Sequence, residues 1–307
     1  MKMIFAGTPE FAVPVLRALA QRFEICAVLT QPDRPQGRKH LLTPPPVKRA
    51  AQELCLPVLQ PARLREHAAD LRVFGADMMV TCAYGQILTQ EVLDLFPMGV
   101  WNVHASLLPK YRGASPISAA ILAGEAETGV TIMRTDIGLD TGDIFLQESL
   151  PIGEEDTCGT LTEKLSVLGA RLMPDAALRI QRGNVTLTKQ GEGTVCRKTA
   201  RTQVDFSRSA REVSALIRAL SPAPLAYAVC GELTLGCFAA RVQACDAPVA
   251  AGTVVCASAK EGLVVRCGED AVRLVQVQPA GGKRMADTAF CNGTKLKRGD
   301  IFDKPAL

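Results

Sequence analysis

Short apolar runs alternate with amphipathic stretches through the first half of the chain. Unbroken apolar runs indicate buried strands, whereas apolar residues three and four positions apart indicate the buried face of a helix. The pattern predicts strands at 2–7, 24–31, 57–61, 77–85, 99–106, 129–136 and 142–152, and helices at 9–22, 45–56, 115–125 and, as one helix or two, 157–183. Because strands that alternate with helices form βαβ units, the predicted fold class is α/β, with a doubly wound, mostly parallel, Rossmann-like sheet.

The pattern changes after residue 186. Residues 187–203 are polar and poor in apolar side chains, as expected of an exposed connection. Beyond them we predict a short helix at 209–220, with Ser209 as its N-cap, followed by five short strand-like runs between turn residues. Short strands in series are typical of a small all-β barrel. The predicted domains are an α/β domain over 1–186, a linker over 187–203 and a small β-barrel domain over 204–307.

Length and composition narrow the class of protein. A chain of 307 residues, 48% of them hydrophobic and 21% charged, has room for two globular domains. No apolar run approaches the ~20 residues of a membrane-spanning helix, and the N-terminal sequence enters a strand pattern at once, without a targeting signal. We therefore expect a cytoplasmic protein without a membrane partner. The eleven cysteines include no C-x-x-C pair, so neither a metal site nor a disulfide scaffold is expected.

Charge is unevenly divided along the chain. Residues 187–307 hold 17 Lys and Arg against 11 Asp and Glu, a balance of +6, whereas residues 1–186 hold 18 against 20, a balance of −2. A basic C-terminal part favours a polyanionic partner such as a nucleic acid. An ordinary solvated surface accounts for the same charges, so charge alone leaves both interpretations open.

The segment WNVHASLLPKYRGASP (101–116) places Asn102 and His104 at the end of a predicted strand. Residues i and i+2 of a strand project from the same face, and open α/β sheets bind ligands at the carboxyl ends of their strands. An amide and an imidazole at such a place can both donate to a developing oxyanion. A buried core histidine with ordinary hydrogen bonds would give the same spacing, so the residues alone do not separate the two interpretations.

The segment TDIGLDTGD (135–143) offers a carboxylate partner for His104 in Asp136, Asp140 or Asp143. An aspartate hydrogen-bonded to the imidazole would fix its tautomer and support its charged form. The sequence has no serine or cysteine beside His104 in an elbow-like turn. The pattern therefore favours direct attack of one substrate on another over a covalent enzyme intermediate.

Several segments resemble the folate-dependent formyltransferases. NVHASLLPKYRGASPI (102–117) is similar to the family's N-x-H-x-S-L-L-P-x-x-R-G-x-x-P segment, and GLDTGD (138–143) is similar to its aspartate loop. Further similar segments are FAGTPEFA, TQPDRPQGR, AYGQIL and ETGVTIM. The resemblance covers the N-terminal part densely and extends, with the right length, into the C-terminal barrel.

The resemblance implies transfer of the formyl group of 10-formyltetrahydrofolate to the α-amino group of methionyl-initiator tRNA, for translation initiation, and an OB-like, tRNA-binding fold for the C-terminal barrel. We further expect a monomer that uses no metal and binds no DNA. Its catalytic residues fall on Asn102, His104 and Asp140: the first two stabilise the oxyanion, and Asp140 holds His104. The implied folate-binding residues are Gln86, Ile87, Leu88, Ser106, Leu107, Leu108, Pro109 and Leu139. The implied tRNA-binding residues are Arg34, Arg38, Lys39, Arg197, Lys198, Lys283 and Arg284.

Two alternatives stay open. The same Asn-His-Asp site serves formyltransferases that act on amino-sugar nucleotides or on purine-pathway amines, and a non-catalytic tRNA-binding module would also be basic. The basic C-terminal part and the Pro- and Arg-containing insertion at 31–49 argue against a small nucleotide substrate. The intact Asn, His and Asp argue against loss of catalysis. The insertion departs from the family's usual Gly-x-Lys-Lys pattern at 36–43, which leaves its conformation open.

Overall fold

The structure is a computed structural model that describes residues 1–37 and 40–305. Arg38 and Lys39, two of the expected tRNA-binding residues, lie outside the described residues. The chain divides into two compact units. The first unit is Met1–Pro116, Thr128–Leu150 and Thr162–Cys196, and the second unit is Ile117–Glu127, Pro151–Leu161 and Arg197–Leu307. The domain boundaries expected at 186 and 204 stay predictions.

The strands and helices predicted from the pattern are present up to residue 196. The strands are β1 (Lys2–Gly7), β2 (Glu24–Leu29), β3 (Arg34–Gln36), β4 (Leu41–Thr43), β5 (Val58–Leu59), β6 (Met78–Cys82), β7 (Val100–His104), β8 (Arg112–Gly113), β9 (Glu127–Arg134), β10 (Ile144–Pro151) and β11 (Val195–Cys196). The helices are α1 (Val13–Ala20), α2 (Pro46–Glu53), α3 (Gln90–Leu93), α4 (Pro116–Leu122) and α5 (Cys158–Gln181). Residues 157–183 thus hold one long helix. The pattern did not indicate β3, β4, β8, β11 or α3, because each is too short to show a period.

Seven strands of this part form one sheet, in the order β10-β9-β7-β6-β1-β2-β5. Strand β1 pairs in parallel with β2 and β6, the pairs β2–β5 and β6–β7 are also parallel, and β9 runs antiparallel to β7. The sheet is therefore mostly parallel, as predicted. Because the chain order reverses beside β1, the carboxyl ends of β1, β6 and β7 surround the point where open α/β sheets bind ligands.

Both faces of this sheet are buried. Met3, Ile4 and Phe5 follow one another in β1 and are all 0% exposed, although successive side chains of a strand point to opposite faces. Covered faces explain why the parallel strands read as unbroken apolar runs in the sequence. On one face α5 approaches β7 closely: a Cβ on Gly169 would lie 2.9 Å from Val103. This packing holds the strand that carries Asn102 and His104.

The second unit contains a mostly antiparallel sheet. Its strands are β12 (Thr202–Gln203), β13 (Ala226–Cys230), β14 (Leu233–Gln243), β15 (Val254–Ser258), β16 (Gly262–Arg266), β17 (Ala271–Pro279) and β18 (Met285–Ala286), and its helices include α6 (Ala210–Leu220) and α7 (Asp287–Gly293). The strand order is β12-β13-β14-β17-β16-β15, with β18 on β17 and only β12–β13 parallel. An OB-like barrel stays a prediction.

Helix α6 begins where the sequence predicted. Ser209 accepts a hydrogen bond from the Glu212 amide at 3.3 Å, and the Glu212 carboxylate accepts one from the Ser209 amide at 3.0 Å. This capping box satisfies two amides that the helix itself leaves unpaired. Among the described residues, no helix is long and apolar enough to cross a membrane.

A charged pair lies in the core of the second unit. Asp287 is 1% exposed, and its carboxylate accepts hydrogen bonds from Arg273 Nε at 2.7 Å, Arg273 Nη2 at 3.1 Å and the amides of Leu263 and Thr288 at 3.1 and 2.8 Å. Hydrogen bonding to Asp287 raises the pKa of Arg273. Four donors therefore depend on one buried carboxylate.

We expect Asp287→Ala to lower the free energy of unfolding by about 3 kcal/mol, because the substitution leaves the guanidinium, the buried Leu263 amide and the partly buried Thr288 amide without their acceptor. Urea denaturation of the full chain measures the change. The exposed Asp246→Asn is the control and should stay within about 0.5 kcal/mol of the unmodified protein. Equal stability of Asp287→Ala and the control would contradict a structural role for this pair.

Candidate active site

Strand β7 positions Asn102 and His104 on one face, near the carboxyl edge of the sheet. Thr81 of β6 lies opposite Asn102 in the register, and its hydroxyl donates a hydrogen bond to Asn102 Oδ1 at 3.0 Å. Because a hydroxyl donor occupies the amide oxygen, the amide nitrogen must point the other way. Nδ2 of Asn102 accordingly donates toward Asp140 Oδ1 at 3.3 Å.

Asp140 lies between β9 and β10 and connects the other site residues through one carboxylate. Oδ1 accepts from Asn102 Nδ2, and Oδ2 accepts from the Gly113 amide at 2.8 Å. The same Oδ2 lies 3.7 Å from His104 Nδ1, within ion-pair distance. Asp140 has a φ of +52°, a left-handed conformation that residues with a side chain adopt rarely. The loop around it must therefore hold this backbone in place.

The neighbouring aspartates have other contacts. Asp136 accepts from the Gly138 amide at 3.0 Å and from the Thr141 hydroxyl at 2.8 Å, which shapes the turn of the loop. Asp143 contributes its backbone carbonyl, which accepts from the Arg134 amide at 2.9 Å. Of the three candidates that the spacing left open, Asp140 is the one whose carboxylate reaches His104.

His104 is 6% exposed and uses both ring nitrogens. Nε2 lies 3.0 Å from the carbonyl oxygen of Tyr111. A carbonyl oxygen can only accept, so Nε2 carries a proton and donates it in this bond. Nδ1 then faces the Asp140 carboxylate, which can only accept, so the two groups attract each other when Nδ1 carries a proton. The Tyr111 carbonyl thus fixes the tautomer, while Asp140 lies at ion-pair distance.

The site also includes residues that the sequence analysis did not single out. Thr81 orients the amide of Asn102, and Gly113 donates to Asp140. Arg112 Nε and Nη2 donate to Gln190 Oε1 at 3.0 and 2.9 Å. Arg112 and Gly113 lie in the 101–116 segment, so their proximity to His104 in sequence was a usable signal. Gln190 lies in the predicted linker and gave no signal.

The expected folate contact Gln86 has its side chain engaged within the protein. Its Oε1 accepts from the Leu64 amide at 2.7 Å, and its Nε2 donates to the Pro61 carbonyl at 3.0 Å. Because both ends of the side-chain amide are occupied, the Gln86 residue has only its backbone groups free to meet a ligand. The side chain braces the loop beside it.

The apolar residues expected at the folate site differ in exposure. Ile87 is 85% exposed and Leu139 is 58% exposed, although both are large and apolar. Leu107 is half-buried, whereas Leu88 is buried in the core against the β6 side of the sheet. Ile87, Leu139 and Leu107 are therefore available to a ligand, and the Leu88 side chain serves packing.

The segment expected at 106–109 is held rigidly. The Thr131 hydroxyl donates to the Ser106 carbonyl at 2.6 Å and accepts from the Leu108 amide at 3.2 Å. The carbonyl of Pro109 accepts from the Thr194 amide at 3.2 Å. Ser106 and Leu108 are buried, so these two residues shape the site from inside the protein.

The insertion at 31–49 forms a two-stranded ribbon, β3 with β4, that carries the exposed Arg34. At its base Asp33 accepts hydrogen bonds from Gln60 at 2.7 Å and from Lys48 at 2.8 Å. The hydrogen bond from Gln60, and after it the one from Lys48, lowers the pKa of the Asp33 carboxyl below its ordinary 3.8. The contact therefore stabilises the fold above about pH 3.8 and is lost as the pH falls through the lowered pKa.

The other expected tRNA-binding residues lie in the second unit and are exposed. Arg197 and Lys198 follow directly after β11. Lys283 and Arg284 precede β18, and the guanidinium of Arg284 lies 4.4 Å from the ring centroid of Phe238. Stacking on an aromatic face holds the guanidinium in a fixed place.

The fold and these contacts define an enzyme that transfers a group between two bound substrates. An amide donor, an imidazole and one shared carboxylate lie at the carboxyl edge of an α/β sheet, beside exposed apolar side chains. In the part of the chain that the structure describes, no three His, Cys, Asp or Glu side chains are placed to hold a metal ion.

The chain belongs to the formyl transferase family. The family model for formyl transferases matches residues 1–177, and the model for their C-terminal domain matches residues 197–295. The chain is 43% identical to the methionyl-tRNA formyltransferase of Herminiimonas arsenicoxydans, covering 97% of this chain and 98% of that protein. It is 46% identical to the methionyl-tRNA formyltransferase of Neisseria meningitidis serogroup B, covering 97% and 99%.

Solved structures share the fold at lower identity. The N-formyltransferase from Helicobacter canadensis, solved with folinic acid and dTDP-3-aminofucose, matches with a TM-score of 0.67 at 20% identity, covering 89% of this chain and 99% of that one. HypX from Aquifex aeolicus, solved with tetrahydrofolic acid, matches with a TM-score of 0.64 at 16% identity, covering 99% of this chain. This chain spans about half, 51%, of the length of HypX.

Proposed function

We propose that this protein transfers the formyl group of 10-formyltetrahydrofolate to the α-amino group of methionyl-initiator tRNA, which supplies N-formylmethionyl-tRNA for translation initiation. Relatives named methionyl-tRNA formyltransferase, 40% and 46% identical over nearly the whole chain, support this substrate. The observation that carries the chemistry is the Asp140 carboxylate, which lies against both Asn102 Nδ2 and His104 Nδ1.

Asn102 and His104 stabilise the charge that develops during transfer. The amine nitrogen bonds to the formyl carbon, and negative charge grows on the formyl oxygen. The amide of Asn102 is already oriented with its N–H groups toward the site, and charged His104 adds a second donor at Nδ1. Each such preorganised donor typically contributes about 3–4 kcal/mol to the transition state. Asp140 balances the positive charge of the imidazolium.

The proton balance needs no strong base. A free α-amine titrates near ~8, and an aminoacyl ester is less basic, so a large neutral fraction exists near neutral pH. The attacking nitrogen loses one proton, and the departing folate nitrogen gains one. As the bond from the formyl carbon to the folate nitrogen breaks, His104 gives its Nδ1 proton to that nitrogen and then takes up the proton of the former amine, while Nε2 stays bonded to the Tyr111 carbonyl.

The folate co-substrate supplies the formyl group, and the exposed side chains beside the site fit it. Ile87 and Leu139 leave apolar surface open to solvent next to the polar residues. A flat aromatic ring would cover such surface and gain its burial. Leu107 and the backbone at Gln86 and Leu88 complete the proposed folate contacts, and the buried Ser106 and Leu108 and the half-buried Pro109 support them.

The proposed tRNA contacts are basic residues in both units. Arg34, Arg38 and Lys39 belong to the insertion, and Arg197, Lys198, Lys283 and Arg284 belong to the C-terminal part. We propose residues 1–186 as the catalytic domain and 204–307 as an OB-like tRNA-binding barrel, joined by 187–203. Cytoplasmic residence belongs to the proposal, because initiator tRNA is used where proteins are made. A monomeric state and the absence of DNA or membrane partners stay predictions.

We expect a variant with both Arg197→Gln and Lys198→Gln to bind tRNA more weakly and with a smaller salt dependence. Each phosphate contact contributes about 0.7–0.9 to the slope of log K against log salt, so the slope should fall by about 1.5. Filter binding from about 50 to about 200 mM salt measures it. The exposed Lys260→Gln is the control. An unchanged slope in the double variant would remove these residues from the proposed interface.

The acceptor substrate is tested by comparison. Purified protein is mixed with labelled 10-formyltetrahydrofolate and either methionyl-initiator tRNA or an amino-sugar nucleotide. The sugar nucleotide is of the kind bound in the Helicobacter canadensis structure. The proposal predicts formylation of the tRNA-bound methionine alone. Formylation of the sugar nucleotide alone would replace the proposed substrate with the alternative one.

A further inference from the structure

Residues 188–196, called here the strap, run along the first unit beside the site. At one end Thr188 and Ile144 exchange backbone hydrogen bonds of 2.8 Å in both directions. At the other end the Thr194 carbonyl accepts from the Arg112 amide at 2.8 Å, and β11 pairs with β8. The strap belongs to the predicted linker, yet it is bound to the first unit along its length.

Gln190 lies in the middle of the strap and bonds to the loop that carries Asp140. Its Nε2 donates to the Asp140 carbonyl at 3.0 Å and to the Gly142 carbonyl at 2.6 Å. Its Oε1 accepts two hydrogen bonds from Arg112, from Nε at 3.0 Å and from Nη2 at 2.9 Å. One amide therefore joins the backbone on both sides of the loop turn to the guanidinium of Arg112.

The orientation of this amide is fixed by its partners. A guanidinium has only donors, so it must meet the oxygen of Gln190, and carbonyl oxygens have only lone pairs, so they must meet the nitrogen. Turning the amide over would break all four contacts. Arg112 is held in turn, because its Nη2 also donates to the Gly191 carbonyl at 2.9 Å.

Gln190 contacts the loop at a residue with an unfavourable backbone conformation. Asp140 has a φ of +52°, a sparsely populated conformation that persists only when the surroundings determine it. Gly142, the other partner, has no room for a side chain, since a Cβ there would lie 1.8 Å from the Arg134 carbonyl. Gln190 ties down both residues, and so sets the position from which the Asp140 carboxylate reaches Asn102 and His104.

We propose that Gln190, oriented by Arg112, is a positioning residue for catalysis: it holds the backbone of Asp140 so that the carboxylate meets Asn102 and His104. The proposal rests on the proposed formyl transfer. Gln190 itself touches neither substrate in this account. Its loss displaces the Asp140 carboxylate, and a displacement of about 1 Å at a catalytic group can cost about 10²-fold in rate.

The test exchanges amide and carboxylate at two positions of the strap. Gln190→Glu keeps an acceptor for Arg112 but turns an oxygen toward the two carbonyls, which repel it. Glu192→Gln is the matched control, since Glu192 is exposed on the same strap. We expect about 10²-fold slower single-turnover transfer in Gln190→Glu, with unchanged Kd for tRNA and a cooperative thermal transition that shows a folded protein, and an unchanged rate in Glu192→Gln. Gln190→Met, which keeps the shape and loses all four bonds, repeats the test if Gln190→Glu does not fold.

A double-mutant cycle with Asp140→Ala separates positioning from general structure. The backbone carbonyl of residue 140 remains in that variant, so the contact with Gln190 can still form. If Gln190 acts through the Asp140 carboxylate, Gln190→Glu adds little to the rate loss of Asp140→Ala. An unchanged rate in Gln190→Glu, or a loss that multiplies fully in the double variant, would overturn the proposal. A lack of transfer by the unmodified protein would instead overturn the proposed function.

Discussion

Replacement of His104 by alanine should lower the single-turnover rate of formyl transfer by about 10³-fold or more. His104 supplies an electrostatic donor, worth about 10²–10³-fold, and a proton carrier, worth about 10²–10⁴-fold. Its ring lies between the Tyr111 carbonyl and Asp140, and alanine at this position would leave both contacts unfilled. Rapid-quench measurement of N-formylmethionyl-tRNA, with enzyme in excess over tRNA, gives the rate of the chemical step.

The matched control is His67→Ala. His67 belongs to the same unit, is half-exposed and pairs with Asp70 at the surface. This variant should transfer at the rate of the unmodified protein, and both variants should bind methionyl-tRNA with the same Kd. A His104→Ala rate within about tenfold of the control would refute the catalytic role of His104, because a lost donor alone costs more.

Asn102→Ala should be slower by about 10²–10³-fold, again with tRNA binding unchanged. The substitution removes the Nδ2 donor that Thr81 holds toward the site through the amide oxygen. The loss of one preorganised oxyanion donor has this magnitude in other acyl-transfer enzymes. Single-turnover transfer measures it on the same time scale as for His104→Ala.

Asn102→Asp is a sharper form of the same substitution. It keeps the size of the side chain, accepts from Thr81 as before, and puts a second carboxylate beside Asp140. Like charges at this distance oppose the developing oxyanion, so Asn102→Asp should be at least as slow as Asn102→Ala. Asn184→Ala, at an exposed asparagine of the same unit, should be unaffected. Activity in Asn102→Asp near that control would mean that the amide donor is not used.

The strands that carry the site could be predicted because burial on both faces leaves a clear trace in the sequence. β1 and β6 are almost entirely apolar, and in β7 the period of two places Asn102 and His104 on one face. The ribbon of β3 and β4 could not be predicted, since each strand has three residues among prolines and polar side chains. Runs this short carry no period.

Contacts in the site between residues far apart in the sequence were harder to predict. Spacing alone did not distinguish Asp136, Asp140 and Asp143 as the partner of His104, and only the resemblance to known formyltransferases singled out Asp140. The Tyr111 carbonyl that fixes the His104 tautomer is a backbone group, which every residue has. Gln190 reaches Asp140 across 50 residues of sequence, from a polar segment that reads as a linker. Such contacts depend on the path of the folded chain.

Formyl transfer to initiator tRNA is measured by single-turnover formylation of methionyl-initiator tRNA with the unmodified protein. Protein saturated with 10-formyltetrahydrofolate is mixed with labelled methionyl-tRNA, and binding of the tRNA is measured on the same samples. We expect N-formylmethionyl-tRNA to form rapidly, and the reaction to be lost in His104→Ala while the tRNA stays bound. Binding of tRNA and folate by the unmodified protein without any formylated product would contradict the proposed formyl transfer.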